Sequence, residues 1–114
     1  MSENKIAYFE LPSTNVSALK EFYGQLFGWT FQDYGDDYAA VENGGLEGGF
    51  NGDPASKSKA PMVIVETADI RTTLKRVQEA GSTITMQIFA YPGGQRFHFL
   101  DPSGNELAIF QPGT

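Results

Sequence analysis

Few residues in this chain are equipped for chemistry. Of 114 residues one is histidine and none is cysteine. Thiolate nucleophiles, disulfides and Cys-based metal sites are therefore excluded, and His98 is the one imidazole available as ligand, acid or base. It opens the stretch HFLDPSGNELAIF, His98 to Phe110. The centre, Asp101-Pro102-Ser103-Gly104-Asn105, holds what a tight turn needs: Asp to bond its own backbone, Pro to fix φ, Gly and Asn to tolerate positive φ. Arg96 to Leu100 and Glu106 to Phe110 flank it with apolar and polar residues interleaved, which predicts a β-hairpin closed by a five-residue loop. A register pairing Leu100 with Glu106 sets His98 across from Ala108, with Arg96 two residues further along the same face and Glu106 diagonal to His98. So placed, His98 and Arg96 can meet a ligand carbonyl or carboxylate, while Glu106 holds the ring's orientation or its charge. The same residues also fit a packing histidine and a solvated rim carboxylate, and the sequence leaves both readings open.

A hairpin this rich in Phe and Ile needs a larger sheet and a helical layer. Lys5 to Leu11 is a strand with Ile6, Tyr8 and Glu10 on one face and Ala7, Phe9 and Leu11 on the other. Pro12 ends it. Asn15 is the N-cap of a helix in which Val16, Leu19, Phe22, Tyr23, Leu26 and Phe27 recur at helical spacing until Gly28. Trp29 to Gln32, Tyr38 to Glu42 and Leu46 to Phe50 are short strands, the last two joined at Asn43-Gly44. Residues 51–60, NGDPASKSKA, read as a linker. The pattern then restarts: a strand at Met62 to Val65, a helix capped by Asp69 carrying Ile70, Leu74 and Val77 and stopped by Gly81, and strands at Thr83 to Phe89, Arg96 to Leu100 and Glu106 to Phe110. An offset of 54 aligns Tyr8 with Met62, Asn15 with Asp69 and Tyr23 with Val77. Shared element order at a near-constant offset predicts an internal duplication, with module 5–50 and module 61–111 joined by the linker 51–60 in a single domain over 1–114.

Composition removes several functions. The net charge of −6, with eight scattered Lys and Arg, argues against nucleic acid. No apolar run approaches the roughly 20 residues that span a bilayer, and MSENK does not resemble a secretory signal, so the expectation is a cytoplasmic protein with no membrane partner. There is no GxSxG or Ser-His-Asp pattern. The run NGGLEGGFNG lacks the Lys-Ser/Thr of a phosphate loop.

Phe9 to Asn15 (FEL followed by Asn15), FYGQLFGW (Phe22 to Trp29) and DPSGN followed by Glu106 and Leu107, in the repeated order of elements, resemble the vicinal oxygen chelate superfamily: glyoxalases, bleomycin-resistance proteins and ring-cleaving dioxygenases. The resemblance covers essentially the whole chain. It implies an α+β fold of two βαβββ modules with curved mixed sheets around a cavity and helices outside. Members that do metal chemistry take ligands from the first and last strands of each module. Here those positions are Tyr8, Met62, Ala108 and one within Leu46 to Phe50, where Glu47 alone has a donor. Phenol is an infrequent ligand and thioether prefers soft metals, so the resemblance implies a member lacking the usual metal site, with no cofactor.

Given the family's orientation, Tyr8, Glu10, Met62, Ile64, Glu66, Arg96, His98, Glu106 and Ala108 line the cavity, and Phe9, Leu11, Val63, Val65, Leu107 and Ile109 pack beneath the helices. The ligand-binding candidates are Tyr8, Glu10, Met62, Ile64, Arg96, His98, Glu106 and Ala108. Candidate acid–base groups are His98 and Glu106. Trp29 and Phe50 read as core. Two function classes follow: a metal-free homodimeric binding protein of the bleomycin-resistance type for a small, partly apolar ligand, or a lyase or isomerase related to lactoylglutathione lyase, working by acid–base chemistry or with a metal.

Overall fold

Both helices begin where the sequence sets a short polar cap. In a computed structural model, which describes residues 3–113, the Asn15 side chain accepts from the Ala18 N–H and opens α1 (Val16–Phe27). Asp69 accepts from the Thr72 N–H and opens α2 (Ile70–Glu79). Around them run β1 (Lys5–Pro12), β2 (Phe31–Asp33), β3 (Tyr38–Val41), β4 (Gly48–Asn51), β5 (Met62–Glu66), β6 (Ile84–Tyr91), β7 (Gly94–Leu100) and β8 (Glu106–Pro112).

The chain divides into two compact units, Tyr8–Met62 and the stretch from Val63 onward together with the residues before Tyr8. In the first, the strands lie in the order β2-β3-β4-β1, antiparallel except for the parallel pair β1 and β4. The second repeats this wiring as β6-β7-β8-β5, with β5 and β8 the parallel pair. The fold is α+β, built from two βαβββ modules. Among the described residues no helix is long and apolar enough to cross a membrane.

Each helix covers one face of its own sheet. Against α1, Val16, Ala39, Val41 and Phe50 form a buried cluster joined by Phe9, Leu11, Leu19, Tyr23, Trp29 and Phe31. Against α2, Ile70, Phe97 and Ile109 do the same, joined by Val65, Leu74, Val77, Ile84, Ile88 and Phe99. Strand alternation then sends Tyr8, Glu10, Tyr38 and Asn51, and separately Ile64, Arg96, His98 and Ala108, to the faces without a helix. Phe50 is core, as its type suggested, and Trp29 packs half-buried against the same cluster.

Several expectations need correction. Val63 is exposed and Leu107 only half-buried, and neither joins the α2 cluster. The apolar stripe of α1 is wider than the sheet can cover: Phe22 is 56% exposed, and Leu26 and Phe27 are each 58% exposed. β2 starts at Phe31 because Trp29 is drawn into the helix side, its ring stacked on Tyr23 at 5.2 Å. Asn51, read as the first linker residue, is buried in β4. The following loop is tied back by Asn51 Oδ1 accepting from Asp53 N–H and by Lys57 Nζ donating to the Ser13 carbonyl.

Candidate functional site

The hairpin of the second unit has the register its turn predicts, with Leu100 opposite Glu106 and His98 opposite Ala108. Asp101 Oδ1 accepts from the N–H groups of Ser103 and Asn105, and Oδ2 from the Asn105 amide. Gly104 supplies the one positive φ, 84°, that closes the loop. These bonds fix where β8 begins, and hence that Glu106 reaches back to His98: Oε2 lies 3.2 Å from Nδ1 and also accepts from Thr85 Oγ1 at 2.8 Å. His98 is 1% exposed, whereas the Glu106 side chain is partly open to solvent. A carboxylate at Nδ1 favours the tautomer that carries its proton on that nitrogen.

Beside His98, the buried Arg96 guanidinium carbon lies 5.5 Å from the Phe89 ring centroid and 5.3 Å from that of Tyr91. The His98 ring is 5.9 Å from Phe89, and Tyr91 meets Phe110 at 6.1 Å. Alternation along β6 puts Phe89 and Tyr91, with Thr85, on the face opposite Ile84 and Ile88, which pack in the α2 cluster. Met86 stands opposite His98 and Phe89 opposite Arg96, three residues of β6 against two of β7. A second register shift, between Ile84 and Met86, offsets this one, so Ile84 and Ile88 both keep to the helix side.

In the first unit a hydrogen-bonded chain runs across three strands. The Tyr8 and Tyr38 hydroxyls are 2.8 Å apart, and Tyr38 donates to Glu10 Oε2 at 2.9 Å. Asn51 Nδ2 donates to Glu10 Oε1 and reaches Ser56 Oγ, both at 3.2 Å. Glu10 is 1% exposed. Burial foremost, then the charges of Glu10 and Tyr8, push the Tyr38 phenol far above its ordinary value, so it stays protonated. Two glycines make room: a Cβ on Gly49 would stand 2.3 Å from the Tyr38 hydroxyl and one on Gly48 2.1 Å from the Phe9 ring.

The family-type metal positions carry poor donors. Gly49 pairs with Glu10 in β4, as Ala108 pairs with Ile64 in β8, which makes Gly49 the fourth position and leaves the exposed Glu47 off it. A phenol, a thioether, a methyl group and a glycine do not make a coordination set for a hard divalent cation. Among the described residues no group of three or more His, Asp and Glu is placed to hold an ion.

Within each unit the predicted residues meet as neighbours: Tyr8 with Glu10, and Arg96, His98, Glu106 and Ala108 with Ile64 at the Ala108 position. Met62 and Ile64 are buried. Sequence reasoning missed Tyr38, Asn51, Thr85, Phe89 and Tyr91. Tyr38 and Asn51 had a signal, since both fall on the Glu10 face by parity once β4 is taken to run through Asn51. Two open surface depressions, one along the first turns of α1 and one between Pro12–Thr14 and residues 54–59, hold none of these groups.

A family model described as Glyoxalase/Bleomycin resistance protein/Dioxygenase superfamily matches residues 5–109. Among curated proteins, the anthracycline biosynthesis protein DauV of Streptomyces sp. (strain C5) is 29% identical over 129 aligned positions, 95% of this chain and 47% of that protein. The chain thus spans about half the length of that relative. Among solved structures, NAD-dependent benzaldehyde dehydrogenase from Legionella pneumophila superposes with a TM-score of 0.76 at 16% identity, covering 93% of this chain and 98% of that one. A glyoxalase/bleomycin resistance protein/dioxygenase superfamily member from Vibrio splendidus 12B01 gives 0.69 at 15% identity, covering 91% and 96%. The Mn(II)-bound glyoxalase from Novosphingobium aromaticivorans gives 0.69 at 16% identity, covering 96% of this chain but 39% of that one. At these identities the structures establish the fold alone.

Proposed function

The chain belongs to the glyoxalase/bleomycin resistance protein/dioxygenase superfamily, and on that footing we propose that it is a metal-independent binding protein for a small, planar, partly apolar molecule. The observation that carries this reading is Arg96, buried over the rings of Phe89 and Tyr91 and next to a histidine oriented by Glu106. A guanidinium backed by two aromatic faces and an imidazole on one strand face suits a flat ligand with a carbonyl or phenolate oxygen at its edge. The likeness to an anthracycline biosynthesis protein supports quinone-type polycycles as the first ligands to try. Titrating anthraquinone-2-carboxylate into the protein by calorimetry tests the reading. Saturable binding that is weakened in His98→Phe is the expected result, and no binding of this or related quinones would overturn it.

The proposal also holds that the chain works without a metal and pairs with a second copy of itself. The donors at the four family positions support the first, and the exposed Phe22 and Leu26 of α1 support the second. Elemental analysis should find well under one transition-metal ion per chain. Light scattering should give twice the chain mass at micromolar concentration.

A second reading, an acid–base lyase or isomerase, is favoured by the His98–Glu106 contact, because fixing the tautomer is what a general base requires. Its signature is exchange of a ligand's acidic C–H with solvent deuterium that disappears in His98→Phe.

A further inference from the structure

Asn-Gly occurs twice in the chain, at Asn43-Gly44 and Asn51-Gly52, and both pairs lie in the first unit. Their surroundings are opposite. Asn51 is 3% exposed, its Oδ1 accepts from the Asp53 N–H at 2.9 Å, and its Nδ2 donates to Glu10 and Ser56. The Gly52 N–H that follows it donates to the Asp37 carbonyl at 2.7 Å. Asn43 is exposed, in the connection between β3 and β4, and the Gly44 N–H donates to no group among the described residues. The Asn43 side chain is nonetheless held: Oδ1 accepts from the Thr30 N–H at 2.8 Å and from the Thr30 hydroxyl at 3.4 Å, and Nδ2 donates to the Gly28 carbonyl at 3.3 Å. Thr30 is fixed in turn, since its carbonyl accepts from the Glu42 N–H at 2.9 Å.

We propose that Asn43 is a self-modification site, at which the Gly44 nitrogen attacks the Asn43 side-chain carbonyl while Thr30 holds the oxygen on which charge develops. The bond that forms joins Gly44 N to Asn43 Cγ, and the bond that breaks joins Cγ to Nδ2. The proton lost from the Gly44 N–H is matched by one taken up by the departing amide, so ammonia leaves and a cyclic imide remains. Water then opens either ring carbonyl and gives an aspartyl or an isoaspartyl residue. Two donors on Oδ1 polarise Cγ toward attack and favour the oxyanion, and Gly44 has no side chain to obstruct ring closure. The product undoes a contact at the end of α1. An aspartyl carboxylate keeps the Thr30 donors but sets a charged oxygen, in place of the Nδ2 donor, against the Gly28 carbonyl at the helix C-terminus, where anions are unfavourable. The isoaspartyl form also lengthens the backbone ahead of Gly44, which lies close to Val41 and the Trp29 ring: a Cβ built on it would stand 2.9 Å and 3.5 Å from them.

The test is a time course of the folded protein in mildly alkaline buffer beside the same chain unfolded in guanidinium chloride. Cleavage after glutamate separates the two sites into residues 43–47 and 48–66, and mass spectrometry reads the conversion of amide to acid in each. Each site is compared with itself unfolded, where no tertiary contact restrains it. In the folded protein Asn43 should convert at least as fast as it does unfolded, and Asn51 at least about tenfold more slowly than it does unfolded. Slower conversion of Asn43 in the folded protein than in the unfolded chain, or Asn51 slowed by less than about tenfold, would overturn the proposal. Asn43→Asp supplies the aspartyl product in uniform form. It should speed amide exchange at Gly28, whose N–H donates to the Gly24 carbonyl at 2.9 Å, and move the emission of Trp29, the one tryptophan of the chain, to longer wavelength. Exchange and emission equal to wild type would overturn the coupling of this site to the end of α1.

Discussion

The two modules share a backbone and differ in what they put on it. Matching registers superimpose Glu10 on Ile64, Tyr38 on Arg96, Ala40 on His98 and Asn51 on Phe110, since each pair holds the same place in its own strand ladder. On the face without a helix, the first module thus carries a buried carboxylate with phenol and amide donors, and the second a guanidinium and an imidazole among aromatic rings. On the helix side the same registers set Ala39 and Phe50 against Phe97 and Ile109. The bulky aromatic has moved from one strand to its neighbour, and all four remain at most 5% exposed. Packing constrains total volume at a site more tightly than it constrains which residue supplies it. Duplicated modules can therefore keep one architecture while their polar faces acquire opposite chemistry.

The strongest way to break this comparison is to remove each module's central aromatic. Phe50→Ala and Phe97→Ala should each cost about 3–5 kcal/mol in urea unfolding, with little room for collapse around a fully buried ring. Similar losses from both would show that relocating the ring preserved its worth, whereas a loss under about 1 kcal/mol from either would mean that module does not depend on it. The glycines of β4 come next. Gly49→Ala forces the Tyr38 ring off its place and should cost about 1–3 kcal/mol by overpacking. The reciprocal Ala108→Gly removes a methyl group from the matching position of β8 and should cost about 1 kcal/mol or less. Equal effects would mean that Gly49 is not a clearance for Tyr38.

How much of this was legible in the sequence depended on whether local chemistry or counting carried the signal. Asp101 to Asn105 specifies its own turn, so the β7–β8 register and the neighbours of His98 could be read directly. Asn15 and Asp69 announced the helix starts by the same kind of local bond. Phe89 and Tyr91 lie on the face that alternation from Ile84 and Ile88 gives them, but no residue type marks the two register shifts of β6 that set Phe89 against Arg96. Tyr38 was hidden differently: it lies where alternation puts it, but its partner Glu10 comes from a strand 28 residues away, and nothing local says that a buried carboxylate needs it. The exposed half of α1 misled because six apolar residues at helical spacing do not reveal how wide a sheet lies beneath them.

For the polar faces the sharper probe is ligand binding. His98→Phe retains a ring of similar shape but removes both nitrogens, and it should weaken ligand binding by about 1–3 kcal/mol, the range for a hydrogen bond to a charged group. As the chain has one histidine, its imidazole resonances can be followed by NMR without assignment. A titration curve unmoved by saturating ligand, with unchanged affinity in His98→Phe, would make the second module's polar face structural.

The smallest expected effect separates the modules by acid. Asp69 and Asp101 both belong to the second module, and both lie below the ordinary value of 3.8: Asp69 through the Thr72 hydroxyl and then its N–H, Asp101 through the Asn105 amide and then its N–H. A carboxyl whose folded value lies below its unfolded one stabilises the fold at pH above the unfolded value, and that contribution fades as pH falls through the folded one. The first module caps its helix with Asn15, which does not titrate. Below about pH 4, then, the start of α2 and the β7–β8 turn should loosen while the start of α1 holds. Amide protection factors, corrected for intrinsic exchange, read this directly: between pH 5 and 3 Thr72 and Asn105 should lose protection before Ala18 and Leu19. Asp69→Asn, an equivalent cap without the charge, should remove the acid response at Thr72 and leave that at Asn105. Simultaneous loss at Ala18 and Thr72 in the wild-type protein would show that the modules respond to acid as one, and that the asymmetry of their caps has no consequence for stability.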